Sequence, residues 1–98
     1  MTDLEVVHVP EKSRYELRAD ERVIGEAVYR RPQDGNRIVM THVEVEPSLN
    51  GRGYGSRLVE EALQDVSRQG LTVVPVCPFV SYYIEQHPEH KSLLAQET

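Results

Sequence analysis

The sequence predicts an α+β domain built on a mixed five-stranded sheet: an antiparallel meander of four strands, a helix, a fifth strand parallel to the fourth, and C-terminal helices. Three observations carry this. The first half holds short valine-rich stretches of alternating polarity, separated by turn formers. The apolar spacing then becomes helical over residues 53–69, and a nearly continuous apolar run follows over residues 71–76.

Residues 4–9 are rich in valine and end at Pro10, which reads as a first strand. Tyr15 and Leu17 alternate with polar neighbours and mark a second. Ala19-Asp20-Glu21 is a tight turn into a third strand over residues 23–30, which carries Ile24, Val28 and Tyr29. Arg31-Pro32-Gln33-Asp34-Gly35-Asn36 is dense in turn formers and reads as a hairpin loop. Residues 37–46 form the fourth and longest strand. Connections this short join antiparallel neighbours. Tyr54, Leu58, Val59, Ala62, Leu63 and Val66 then place one apolar stripe along a helix, and Gly70 suits a left-handed end to it. The run over residues 71–76 is that of a strand covered on both faces. Strand, helix, strand implies a right-handed crossover and parallel pairing with the fourth strand. Pro75 cannot donate to a ladder, so that pairing is predicted to fail near it. A helix over residues 79–86 follows, and Pro88 opens a short one reaching residue 95.

The 98 residues suffice for one domain, spanning 1–98, and one core. No apolar run approaches the ~20 residues that cross a bilayer, so no membrane partner is expected. The net charge is −5 and the arginines are scattered, which disfavours nucleic acid and favours a cationic partner. Cys77 is the single cysteine, so there is no internal disulfide framework. The opening Met1-Thr2-Asp3-Leu4-Glu5 lacks the pattern of a leader, and a cytoplasmic protein, monomeric or weakly dimeric, is the expectation.

The segment that carries chemistry is Pro47-Ser48-Leu49-Asn50-Gly51-Arg52-Gly53-Tyr54-Gly55-Ser56, between a strand and a helix. Three alternating glycines let backbone approach a ligand closely. The amides of Gly53, Tyr54, Gly55 and Ser56 lie unpaired at the helix start, where the dipole favours an anion such as phosphate. Ser56 adds a hydroxyl and Arg52 a positive charge. A P-loop ends in Gly-Lys-Ser/Thr, absent here. A dinucleotide fold needs Gly-x-Gly-x-x-Gly after the first strand of a parallel sheet.

The sequence resembles the Gcn5-related N-acetyltransferase superfamily, in its compact members of about this length. Asn50-Gly51-Arg52-Gly53-Tyr54-Gly55 is similar to the pyrophosphate motif Gln/Arg-x-x-Gly-x-Gly/Ala, with Asn50 in place of Gln or Arg. Val74-Pro75-Val76-Cys77-Pro78-Phe79-Val80, Tyr83 and His87-Pro88-Glu89 also look similar to the compact subfamily, and the likeness covers most of residues 24–90. It implies acetyl-CoA as acetyl donor and an amine acceptor, small molecule or protein; no ligand pattern points to a metal. It implies that the fourth and fifth strands splay to admit the pantetheine arm, that the backbone of Val43 to Val45 pairs with that arm, and that the amides of Arg52 to Ser56 cradle the pyrophosphate.

Candidate catalytic residues follow. Val43 and Val45 alternate with Glu44, which sends Glu44 to the opposite face, on a polar ladder with His42 and Glu46. Glu44 is the candidate general base; the alternative is a solvated sheet face. Cys77, just after a strand where the thioester is expected, is either a catalytic or acetyl-accepting nucleophile or a thiol that packs or lines the pocket. The resemblance makes Tyr83 the proton donor to the leaving thiolate; core packing is the alternative. His87 and His90 read as surface residues, with no spacing for a metal site. A non-catalytic coenzyme A-binding module that regulates a partner is the rival reading, and a sensor of some other phosphate ligand a third.

Overall fold

The computed structural model describes residues 3–33 and 35–95. Asp34 of the expected hairpin loop lies outside them. Five strands form one sheet in the order β1-β2-β3-β4-β5: β1 (Leu4–Val9), β2 (Arg14–Ala19), β3 (Arg22–Arg30), β4 (Arg37–Val45) and β5 (Thr72–Pro75). The first four pair antiparallel in sequence order, and β5 runs parallel to β4. Helices α1 (Tyr54–Arg68) and α2 (Pro78–Gln86) complete the predicted architecture. The β2–β3 turn is as tight as expected: Ala19 pairs Arg22, and Asp20 and Glu21 both take positive φ, 49° and 73°. Two consecutive left-handed residues match the twist of a hairpin.

Helix α1 buries Leu58, Val59, Ala62, Leu63 and Val66 completely. Each of the leucine and valine side chains contributes about 1.5–3 kcal/mol when fully buried. The stripe lies on the sheet because β2, β3 and β4 present matching rows. Tyr15, Ala27 and Val43 are aligned across them, and so are Leu17, Gly25 and Val45. Gly25 sits where a Cβ would lie 3.2 Å from the Glu44 carbonyl and 3.3 Å from Val45 Cγ2. Gly70, at φ 72°, ends α1. Its N–H donates to the Ser67 carbonyl and the Leu71 N–H to that of Val66, both at 3.0 Å, which satisfies two orphan carbonyls.

The other sheet face carries glutamates at Glu16, Glu26 and Glu44, opposite one another across β2, β3 and β4. Like charges in that register repel, and arginines neutralise most of the row. Arg14 and Arg18 close over Glu16, which is 2% exposed, and Arg14 also reaches Glu26 at 3.1 Å. Arg22 pairs with Glu46. The two guanidiniums hold the Glu16 carboxyl below its ordinary range against burial, which alone would raise it; the Arg18 hydrogen bond is the largest contribution.

The expected last helix is a 3-10 segment, Pro88–Leu93. The chain then becomes extended, and the Ala95 N–H donates to the Val73 carbonyl at 2.9 Å, beside a Val73–Leu94 bridge. Pairing with β5 takes the residues that the sequence assigned to the helix.

Candidate functional site

Strands β4 and β5 pair from Arg37–Thr72 to Met40–Pro75 and then part. The break is local to Pro75. It offers no N–H, and the Val76 N–H turns back on the Val74 carbonyl at 3.1 Å, a three-residue turn that swings the chain off the sheet. One last bond joins the Cys77 N–H to the Met40 carbonyl at 2.9 Å. Beyond this fork, among the described residues, no strand pairs with the β5 side of β4 as far as Val45. The Glu46 N–H donates to the Ile24 carbonyl on β3 at 2.8 Å. Antiparallel alternation therefore turns the N–H and C=O of Val43 and Val45 away from β3, onto the free side.

The glycine segment closes one end of the cleft. Gly51 and Gly53 take φ of 85° and 78°, which an L side chain resists, and a Cβ on either would touch nothing within 4 Å. Their requirement is conformational. Gly53 is the N-cap of α1 and makes no side-chain cap bond. The first intrahelical bond runs from the Arg57 N–H to the Gly53 carbonyl at 3.1 Å. The amides of Tyr54, Gly55 and Ser56 are the donors ahead of it that a helix start leaves over.

A cleft of about 360 Å³ follows, with Val43 and Val45 on one wall and Asn50, Gly51, Gly53, Tyr54, Gly55 and Ser56 around the other. These are eight of the predicted cofactor residues. Arg52 is exposed and outside the lining. Leu49 and Phe79 line the cleft in addition. A cleft with an amide-rich, positive end and a free strand edge fits an extended ligand that carries phosphate.

The three candidate catalytic residues lie elsewhere. Glu44 points to the face opposite α1, as alternation predicts; its side chain is 62% exposed, with His42 Nε2 3.2 Å from its Oε2. Cys77 is buried at the start of α2, at the fork and outside the cleft lining. Tyr83 is 6% exposed, and its hydroxyl donates to Glu60 Oε1 at 2.6 Å. Burial and that carboxylate push the Tyr83 hydroxyl well above its ordinary pKa, so it holds its proton firmly.

Sequence reasoning missed Glu60, which joins three segments. It accepts from Tyr83 on α2, from His90 Nε2 at 2.7 Å, and from Gln64 at 2.7 Å. Burial would raise its pKa, and these three hydrogen bonds outweigh that and hold it at about 2. His90, expected at the surface, is 8% exposed because the 3-10 segment folds it onto α1. His87 is half-buried and stacks on Tyr83 with ring centroids 4.0 Å apart. Among the described residues, Glu60, Glu89 and His90 bring three potential metal ligands within 4.8 Å. Tyr83, His90 and Gln64 already occupy both oxygens of Glu60.

The fold is a mixed five-stranded sheet in which β4 and β5 part beside the start of α1. Residues 14–93 match the family described as GCN5-related N-acetyl-transferase, and the chain belongs to that family. The structure is similar to the solution structure of a GCN5-like protein from Staphylococcus aureus, with TM-score 0.72 and 20% identity over 100% of this chain and 94% of that one. It is also similar to N-acetylglutamate synthase from Neisseria gonorrhoeae, solved with coenzyme A and N-acetyl-glutamate. That match has TM-score 0.59 and 15% identity, and covers 83% of this chain but 22% of the synthase. At these identities the likeness shows the fold. No curated protein matches the sequence. Among the described residues, no helix is long and apolar enough to cross a membrane.

Proposed function

We propose that this protein transfers the acetyl group of acetyl-CoA to a primary amine in a reducing, cytoplasmic setting. The observation that carries the reading is the parting of β4 from β5 beside an amide-rich helix start. Acetyl-CoA, when bound, supplies an activated acetyl thioester. The amides of Arg52 to Ser56 would hold its pyrophosphate, with Asn50 as a further donor. The outward N–H and C=O groups of Val43 and Val45 would pair with the pantetheine amides, and an amide near Val45 would polarise the thioester carbonyl. Glu44, or a water that it orders, takes the proton of an amine approaching from the open sheet face. Tyr83 could protonate the leaving thiolate only after releasing Glu60, so solvent is the simpler donor. We favour direct attack over a route through acetyl-Cys77.

A coenzyme A-binding module without catalysis is the second reading. It is favoured by one observation: none of Glu44, Cys77 and Tyr83 lines the cleft. Two measurements decide. Acetyl-CoA at ~100 times its dissociation constant should stabilise the fold by ~2.7 kcal/mol, and a melt that does not move would overturn both readings. Labelled acetyl-CoA offered to polyamines, lysine peptides and arylamines then separates them: transfer above spontaneous hydrolysis supports catalysis, and binding without transfer supports the module.

A further inference from the structure

Strand β1 is an edge strand, and the direction of each of its backbone groups is fixed by one bond. The Asp20 N–H donates to the Asp3 carbonyl at 3.4 Å, so the polar groups of Asp3 face β2. Direction alternates along a strand. Register with β2 is unbroken from Leu4–Ala19 to Val9–Arg14. The N–H and C=O of Glu5, Val7 and Val9 therefore face β2, and those of Leu4, Val6 and His8 face outward. Arg57 Nη2 donates to the Leu4 carbonyl at 3.0 Å. Among the described residues, no backbone group bonds to the outward groups of Val6 and His8.

Proteins ordinarily blunt such an edge with lysine, proline, a bulge or a covering segment. Leu4–Val9 contains neither lysine nor proline, and its ladder with β2 is regular. A second, antiparallel copy of β1 fits it. A two-fold axis through Val6 sets Val6 opposite Val6 of the second copy, Leu4 opposite His8, and Glu5 opposite Val7. Outward residues then meet outward residues, so each outward N–H and C=O finds a partner. The Leu4 carbonyl has a second lone pair for the His8 N–H beside Arg57. Slipping the pair either way is worse. One slip sets Glu5 against Glu5, a like-charge pair. The other sets Leu4 against Pro10, which has no N–H to give.

Side chains agree with this register. Leu4 and Val6 pack only partly against the core, and both gain cover on the α1 face from the second copy. The start of the edge is acidic, with Asp3, Glu5, Asp20 and Glu21 around Arg18. Its far end carries Lys12 and Arg14 against Glu11. Antiparallel pairing joins these unlike ends.

We propose that β1 is a homodimer interface: two copies pair antiparallel about Val6 into one continuous sheet, with five strands from each. The cleft lies on the far side of the sheet, where β4 and β5 part, so both clefts stay open. The proposal is independent of what the cleft binds.

Val6→Pro removes an outward N–H and spares the β1–β2 ladder, since no group of Val6 faces β2. In sedimentation velocity over ~10–500 µM protein, the parent mass should rise from 11.2 kDa towards twice that value. Val6→Pro should stay at the monomer mass with an unchanged circular dichroism spectrum. Val6→Lys sets two ammonium groups at the axis and should do the same; it replaces the proline variant if that one melts without cooperativity. Hydrogen exchange reads the register: the amides of Leu4, Val6 and His8 should slow about tenfold in the concentrated parent and not in Val6→Lys. A parent at the monomer mass at every concentration would leave the edge to a strand from another protein and overturn the proposal. A dimer that persists in Val6→Lys, or whose outward amides exchange as in the dilute parent, would place the interface elsewhere and overturn it equally.

Discussion

Replacing Glu60 with glutamine tests whether charge holds the junction of α1, α2 and the 3-10 segment. Glu60 accepts from Tyr83, His90 and Gln64 at 2.6–2.7 Å. Hydrogen bonds to a charged acceptor contribute ~1.5–3 kcal/mol each. The Glu60 side chain keeps 29% of its surface exposed, so solvent screens part of that, and glutamine retains one acceptor oxygen. The net loss should be about 2 kcal/mol, which lowers Tm by roughly 10 °C in a domain of this size. The pH dependence gives the sharper test. The folded-state pKa is depressed from the usual 4.5 to about 2. Stabilisation from the ionised group is thus complete above about pH 4.5 and is lost as pH falls towards 2. Urea unfolding followed by circular dichroism should show the full deficit of Glu60→Gln at pH 7 and near-coincidence with the parent at about pH 2. Equal stability at pH 7 would refute the junction. An equal deficit at both pH values would refute its ionic character.

Gly53→Val forces a β-branched residue to φ 78°. It should cost ~1–2 kcal/mol and abolish the melt shift with acetyl-CoA; a normal shift would show that the loop does not hold the phosphates. Cys77→Ala should keep part of the transfer activity, since direct attack does not need the thiol. A stable acetyl mark on Cys77 from acetyl-CoA alone, seen by mass spectrometry, would reverse that. Glu44→Gln should lower turnover ~10²-fold and leave acetyl-CoA binding unchanged. Unaltered turnover would move the base to Glu46, His42 or solvent.

What could be read from the sequence was what is local or periodic. Burial of α1 repeats every 3.6 residues, so its stripe was readable, and so was Gly70 as its end. The alternation that sends Val43 and Val45 inward and Glu44 outward needs one strand alone. The sheet splits at Pro75 because a missing N–H is a property of that residue. The rest depends on partners distant in sequence. Nothing near Tyr83 announces that its hydroxyl is taken by Glu60, 23 residues earlier, and nothing near His90 that it folds onto the same carboxylate. The motif implied that Gly51, Gly53 and Gly55 serve one purpose. The structure separates them, with two needed for backbone angle and one for an aromatic ring arriving from another helix. The burial of Glu16 carried a usable signal: arginines two residues away on either side share its face of the strand.

A sheet stops growing where its hydrogen bonds run out, and here the two borders stop for different reasons. Along β5 the chain's own return, through Leu94 and the Ala95 N–H on Val73, occupies the groups that another strand would need. Along β1, among the described residues, β2 is the one neighbouring strand, and the Leu4 carbonyl accepts from Arg57 Nη2 at 3.0 Å. Any strand added to this architecture, from a longer relative or a second molecule, has β1 as its open border. The cleft border is sealed against such additions at the paired end of β5, so the sheet can lengthen away from the fork without closing it.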